Sequence, residues 1–346
     1  MAVAYEIGQL ETVHALPTAG EMHEVVFGDP SMARLLALAE SVASTPSTVL
    51  IHGESGAGKE VVARHIHTHS ERASGPFVAI NCAALPPSLL ESELFGHERG
   101  AFSGAVRKHL GVFERAKGGT LLLDEVSEIS PEMQAKLLRV LQERVLYRVG
   151  GTDPVNLDIR IVATTNRNLK EAIDEGSFRL DLYYRLNVFP LRIDALRARS
   201  GDIRPLAKSL LARAAKSLNK SIRGVDEAAL LKLDGYGFPG NVRELVNIME
   251  RAAILVGTSD VVRVEHIMLD STETAQDASA DMDSADVLIV RPGVEPFDDI
   301  RRRVILRTLE RCDGNRTRTA EVLGLSLRTI RNRLREYREA GVAVPA

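Results

Sequence analysis

The run Gly53-Glu54-Ser55-Gly56-Ala57-Gly58-Lys59-Glu60 carries glycines and a lysine at a spacing suited to holding phosphate. Glycines let successive backbone N–H groups turn inward around phosphate oxygens, and the closing lysine reaches the β- and γ-phosphates. The apolar run Thr48–His52 precedes this loop and a helical pattern follows it. A helix N-terminus there adds its positive dipole end to the cradle. Glu60 stands where the general pattern has a magnesium-ligating Ser or Thr. The plainer alternative is a glycine turn without a ligand.

A second constellation is Gly118-Gly119-Thr120-Leu121-Leu122-Leu123-Asp124-Glu125, an apolar strand ending in two acids. In an open α/β sheet ligands bind at the carboxyl ends of the strands, where these acids fall. Asp124 is expected to hold magnesium, directly or through water, and Glu125 to polarise an attacking water. Acids at a strand end could also merely cap a turn.

Two further stretches have the composition of contact surfaces. In Gly100-Ala101-Phe102-Ser103-Gly104-Ala105 two glycines flank a phenylalanine within a polar segment. This reads either as a mobile loop offering one aromatic anchor or as an ordinary turn with Phe102 tucked into the core. From Phe297 to Ala346 there are twelve Arg, no Lys and seven acids, giving +5. The remainder carries 32 basic and 40 acidic residues, giving −8. An arginine-rich tail on an acidic body suggests a nucleic-acid contact confined to the tail, with a solvated charged face as the alternative.

In that tail, Asn315–Leu334 has helix-turn-helix form. Ala320, Leu323, Leu327, Ile330 and Leu334 can build its small core, Gly324 allows the turn, and Ser326 can cap the second helix. That helix would then expose Arg328, Thr329, Arg331 and Asn332 to base edges and phosphates. A charged helical hairpin for protein contacts is the alternative.

The elements that must position these residues follow from the pattern. The runs Thr48–His52, Phe77–Asn81, Thr120–Asp124 and Ile159–Thr164 alternate with helical stretches, which predicts a parallel sheet covered by helices. Ser130-Pro131-Glu132 opens one helix, with Ser as N-cap. After about Leu196 the strands are expected to stop. Ile203–Leu218, Asp226–Leu233 and Val242–Leu255 read as lid helices, the last opened by Asn241 with Glu244 at capping-box spacing. Residues 271–296 hold six acids against Arg291 alone and predict a solvated linker, in which the apolar run Val287–Val290 has no assigned place.

The expected organisation is therefore an α/β nucleotide-binding subdomain over 23–195 and a helical lid over 196–270. A flexible arm (1–22) precedes them, and the linker (271–296) leads to an all-α DNA-binding domain over 297–346. No apolar run reaches the ~18 residues of a membrane span, and the first residues lack a signal-peptide pattern. Cys82 and Cys312 fall in separate predicted domains, so no disulfide framework is expected and a reducing cytoplasm fits.

The stretches GESGAGKE, NCAAL (Asn81–Leu85), ELFGHERGAFSGA (Glu93–Ala105), GGTLLLDE, ATTNRNL (Ala163–Leu169), FRLDLYYRLNVFPL (Phe178–Leu191) and PGNVREL (Pro239–Leu245) recur in order. Over roughly residues 25–258 the chain resembles the AAA+ P-loop ATPase domain of sigma-54-dependent activators, the NtrC-like enhancer-binding proteins. That family usually has Glu after the loop lysine, which accounts for Glu60.

The resemblance implies ATP and Mg2+ as ligands. It also implies roles for single residues. Asn81 would hold Glu125 until the correct nucleotide state, Asn166 would read the γ-phosphate, and Arg243 would act from the lid. Arg179 and Arg185 match arginine fingers supplied across a subunit interface, which implies a homo-oligomer, from dimer to hexameric ring. Taken alone, either arginine would read as a surface salt-bridge partner. The family's loop reads GAFTGA and touches sigma-54 within RNA polymerase, so Gly100 to Ala105 become the expected contact, with Ser103 in place of Thr.

The tail resembles the family's Fis-type DNA-binding segment. The preceding helix, about Asp298–Arg311, would pair two copies on inverted-repeat upstream sites in double-stranded DNA. The tail's sequence GNRTRTAEVLGLSLRTIRNRLREY resembles flagellar-gene regulators of the family. Many members carry an N-terminal receiver domain. Only about 22 residues precede the ATPase here, so control is expected from a separate regulatory protein, from expression level, or from a receiver that this stretch of chain omits. The competing classes are a DNA-binding regulator that oligomerises without remodelling polymerase, and another AAA+ remodelling machine.

Overall fold

Near-continuous apolar runs along short strands demand cover on both faces of a sheet, and the chain supplies it. The computed structural model describes residues 25–257, 259–269, 297–312 and 314–339. The expected arm (1–22), the linker (271–296) and the run Val287–Val290 lie outside the described residues. One unit of the chain ends at Glu273 and a second begins at Thr274.

The first unit opens with α1 (Pro30–Ala43), β1 (Val49–His52), α2 (Lys59–Thr68), β2 (Phe77–Asn81), α3 (Pro87–Phe95), α4 (Val112–Arg115) and β3 (Thr120–Asp124). It continues through α5 (Pro131–Glu143), β4 (Val145–Tyr147), β5 (Pro154–Asn156), β6 (Arg160–Thr165), α6 (Leu169–Asp174), α7 (Leu180–Leu186) and β7 (Phe189–Arg192). Five strands form one parallel sheet in the order β2-β3-β6-β1-β7, and β4 pairs with β5 as a separate antiparallel hairpin. Val49 and Ile51 pack with α1 and α2 on one face, while Leu50, Leu121 and Leu123 pack with α3 to α7 on the other.

The edge strand β7 and the β4–β5 hairpin are absent from the sequence expectation. β7 is four residues long with Pro190 inside it, a residue that weakens a strand pattern and is tolerated at a sheet edge. Register does the positioning. Asn81 lies opposite Asp124, and His52 opposite Thr165. The loops leaving β1, β3 and β6 therefore emerge side by side.

The lid is built mainly from α8 (Ile203–Ser217), α9 (Glu227–Asp234) and α10 (Asn241–Leu255) around a core that includes Leu211, Leu230, Phe238, Leu245 and Met249. Strands do not stop at Leu196 as expected: Gly224–Val225 pairs in parallel with Val261–Val262. Two capping expectations are corrected. Ser130 sits at the N-cap of α5, but its side chain makes no cap hydrogen bond. Asn241 does not cap α10: Gly240 occupies the N-cap, and its N–H donates to Glu244 at 2.9 Å. Asn241 is instead fully buried and points away from its own helix end, toward the glycine loop.

In the second unit, α11 (Phe297–Arg311), α12 (Arg316–Val322) and α13 (Leu327–Glu339) enclose Ile305, Leu309, Ala320, Ile330 and Leu334. Asn315 accepts from the N–H groups of Thr317 and Arg318, both at 3.1 Å, and so caps α12. Gly324 has φ +62°, a left-handed turn conformation that glycine adopts without a Cβ clash. Ser326 Oγ accepts from Thr329 N at 3.0 Å and caps α13.

Candidate functional site

The loop from Gly53 to Glu60 runs from the end of β1 into α2, with left-handed φ at Gly56 (+74°) and Gly58 (+102°). Its lysine is drawn into the site. Lys59 is buried, with Nζ donating to the carbonyls of Gly53 (2.9 Å) and Glu54 (3.3 Å) and lying 3.1 Å from Glu125 Oε1. Glu60 faces outward instead and pairs with Arg64 one turn along α2 at 2.8 Å.

Asp124 ends β3 and Glu125 follows it, in a left-handed conformation (φ 55°) that turns its carboxylate toward the loop. Asp124 accepts from Thr164 Oγ1 and from Asn81 Nδ2, the latter at 3.0 Å. Here the structure departs from the expected contact. Asn81 holds Asp124, its strand neighbour, while Glu125 is engaged by Lys59 and by the N–H of Asn166 at 3.0 Å. Asn166 thus lies where the sheet order puts it, between the glycine loop and the two acids.

The lid closes on the loop through several residues. Arg243 Nη1 donates to Ser55 Oγ at 2.9 Å, and Asn241 Nδ2 donates to Glu54 and to the Ser55 carbonyl, each at 3.1 Å. Arg197 forms a two-pronged pair with Glu54 at 2.9 and 2.5 Å. That guanidinium holds the Glu54 carboxyl below the usual carboxylate range, with the Asn241 amide helping. Arg199, buried, donates to the Ala57 carbonyl at 2.5 Å and pairs with Asp202 at 3.0 Å. Asp202 in turn accepts from the N–H groups of Gly28 and Asp29.

Sequence reasoning missed Arg197, Arg199, Asp202 and Thr164. The Arg199–Asp202 spacing was a legible signal, since residues three apart can pair across one turn.

Arg179 and Arg185 are not brought to the loop of their own chain. Arg179 is exposed and paired with Asp181 at 2.7 Å. Arg185 donates to the Leu141 carbonyl at 2.7 Å, near the end of α5.

The segment Gly100–Ala105 lies between β2 and β3, and its backbone is cross-linked. Gly100 N donates to Ala105 O at 2.8 Å and Ala105 N to Phe102 O at 3.0 Å. Gly100 (φ +81°) and Gly104 (φ +118°) take the left-handed positions. Phe102 is 46% exposed rather than tucked into the core. Its ring stands edge-on to His97 at 4.9 Å, and His97 is held by Ser92 Oγ at 2.8 Å. Ser103 is exposed and Ala105 buried. In the second unit Arg328, Thr329, Arg331 and Asn332 are all exposed on α13, as the pattern required.

Comparison with known proteins assigns these parts. Residues 25–192 match the sigma-54 interaction domain, 197–284 the AAA+ ATPase lid domain, and 297–337 the bacterial regulatory protein Fis family. The transcriptional regulatory protein FlbD of Caulobacter vibrioides is 45% identical, across 93% of this chain and 72% of its own length. The response regulator protein FleR of Pseudomonas aeruginosa is 46% identical, across 92% and 71%. Among solved structures, NtrX from Brucella abortus in complex with ATP superposes with a TM-score of 0.70 at 35% identity, covering 90% of this chain and 69% of that one.

Proposed function

This chain belongs to the sigma-54-dependent transcription activators, AAA+ ATPases with a Fis-type DNA-binding tail, and from that premise we propose how its residues divide the work. The backbone of Gly53–Glu60 and Lys59 cradle the phosphates of ATP. Asp124 offers hard oxygen ligands of the kind magnesium takes, beside the loop that would hold the phosphates, so the donor set fits the ion. Mg2+ bound there would neutralise charge on the β- and γ-phosphates.

Glu125 polarises the attacking water. In the present arrangement Lys59 and Asn166 hold its carboxylate, so nucleotide arrival must draw Lys59 toward phosphate before Glu125 is free to act. Asn81 tunes this pair through Asp124. Arg243 and Asn166 report the γ-phosphate to the lid and sheet.

Arg179 and Arg185 lie away from their own chain's loop, which supports their acting on a neighbouring subunit. A guanidinium supplied that way contributes about 10³–10⁵ in rate in other NTPases and makes hydrolysis depend on ring assembly. A dimer-to-hexamer equilibrium in the cytoplasm and a paired tail on inverted-repeat DNA sites complete the proposal. Within it, 23–195 is the ATPase subdomain, 196–270 the lid, 271–296 the linker and 297–346 the DNA reader. A separate regulatory protein supplies the signal. Flagellar genes are the proposed targets, on the tail's resemblance and its fit with FlbD and FleR.

The observation that carries the sigma-54 contact is the half-exposed Phe102 at the tip of a hydrogen-bonded glycine turn. Phe102→Ala is expected to keep ATP hydrolysis within about twofold and to abolish open-complex formation by sigma-54 polymerase. Undiminished transcription from that variant would remove the loop from the mechanism. Loss of hydrolysis as well would make it a folding residue instead.

A further inference from the structure

On the face of the sheet covered by α1 and α2, away from Glu125 and the lid, three ligand-bearing side chains converge: Glu40, His65 and His69. One ligand atom from each lies within 4.8 Å of the others. Glu40 Oε1 is 3.0 Å from His65 Nε2 and 4.0 Å from His69 Nε2. The two imidazoles stand one helical turn apart, with ring centroids separated by 4.1 Å.

The tautomer of His69 is set by its surroundings. Its Nδ1 lies 2.8 Å from the His65 carbonyl oxygen, which can only accept, so Nδ1 carries the proton. Nε2 is the ring nitrogen left to face the Glu40 carboxylate, at 4.0 Å. An N–H bonded to a backbone carbonyl is the usual support for a metal-ligating histidine.

We propose that Glu40, His65 and His69 form a three-ligand site for a late first-row divalent cation of the zinc type. Two imidazoles and one carboxylate suit such an ion better than magnesium or calcium, which take oxygen ligands. Bonds of ~2.0–2.1 Å in a tetrahedron put ligand atoms roughly 3.3 Å apart, so the ligand atoms need shift by no more than about 1.5 Å relative to one another. The ion would clamp α1 to α2, the helix that begins with Lys59.

The test uses the full chain, stripped with chelator and free of nucleotide, titrated with zinc chloride and separately with cobalt(II). Wild type is expected to bind one equivalent that His69→Ala loses and Glu40→Gln weakens at least tenfold. Cobalt at that equivalent should show visible d–d absorption of a low-coordinate N/O site. Zinc at about a hundred times its Kd should raise the wild-type Tm by several degrees, an effect His69→Ala abolishes. His69 is 47% exposed, and an unchanged Tm of the variant in chelator establishes that it folds. Zinc stoichiometry and cobalt spectrum identical in His69→Ala and wild type, or no zinc bound by wild type, would overturn the site.

Discussion

Asn241 shows how much one residue can tie together. Its carbonyl oxygen accepts from the buried N–H of Leu196 at 2.8 Å, and its amide nitrogen reaches Glu54 and Ser55 in the glycine loop. It does this with φ 54°, a conformation Asn tolerates better than most residues. Asn241→Ala leaves a buried donor unpaired and places alanine in a left-handed position. It is expected to cost about 1–3 kcal/mol of unfolding free energy and to weaken ATP binding. Denaturant unfolding and nucleotide titration check both, and no change in either would reduce Asn241 to a passive core residue. The sequence showed an Asn before a helical run and read it as a cap. Spacing along one chain segment cannot reveal a partner some two hundred residues away, such as Ser55. The same holds for Asn81, whose strand neighbour Asp124 follows from register, while the identity of the carboxylate it bonds does not.

At the level of elements, the site is a consequence of strand order. β6 lies between β3 and β1, so Asn166, the acids and the glycine loop share one edge of the sheet. The lid then seats against Gly56. A Cβ there would stand 2.4 Å from the Gly240 carbonyl and 3.0 Å from the Arg243 Cβ, at φ +74°. Gly56→Ala is therefore expected to push the lid off the loop and weaken ATP at least tenfold, about 1.4 kcal/mol, while helix content is kept. Isothermal titration beside circular dichroism reads this, and wild-type affinity would mean that the lid contact does not shape the site. Four strands, the lid helices and the glycine loop were legible because long apolar periodicity and glycine spacing are local signals. β7 was not, because four residues with a proline carry no strand pattern of their own. The lid's grip through Arg197 was equally hidden, since its partner Glu54 lies far away along the chain, and the spacing of Arg199 and Asp202 signals their pairing but not the Ala57 carbonyl that Arg199 reaches.

For the whole molecule, the exposed face of α13 and the ATPase unit must act on different partners at one promoter. Arg331→Ala should weaken DNA binding evenly across sequences and reduce the salt slope by about 1 if the guanidinium meets a phosphate. An unchanged slope in filter-binding or anisotropy titrations would exclude that contact. The tail was readable because a three-helix unit this small has few ways to bury its leucines and one arginine-rich face left over. The coupling between hydrolysis and polymerase is tested most directly by open-complex formation with purified sigma-54 polymerase on a promoter bearing an upstream site. Wild type should open it with ATP and not with a non-hydrolysable analogue, and Glu125→Gln should bind ATP yet lose about 10²–10⁴ in hydrolysis and all opening. Opening by Glu125→Gln at the wild-type rate would contradict the account.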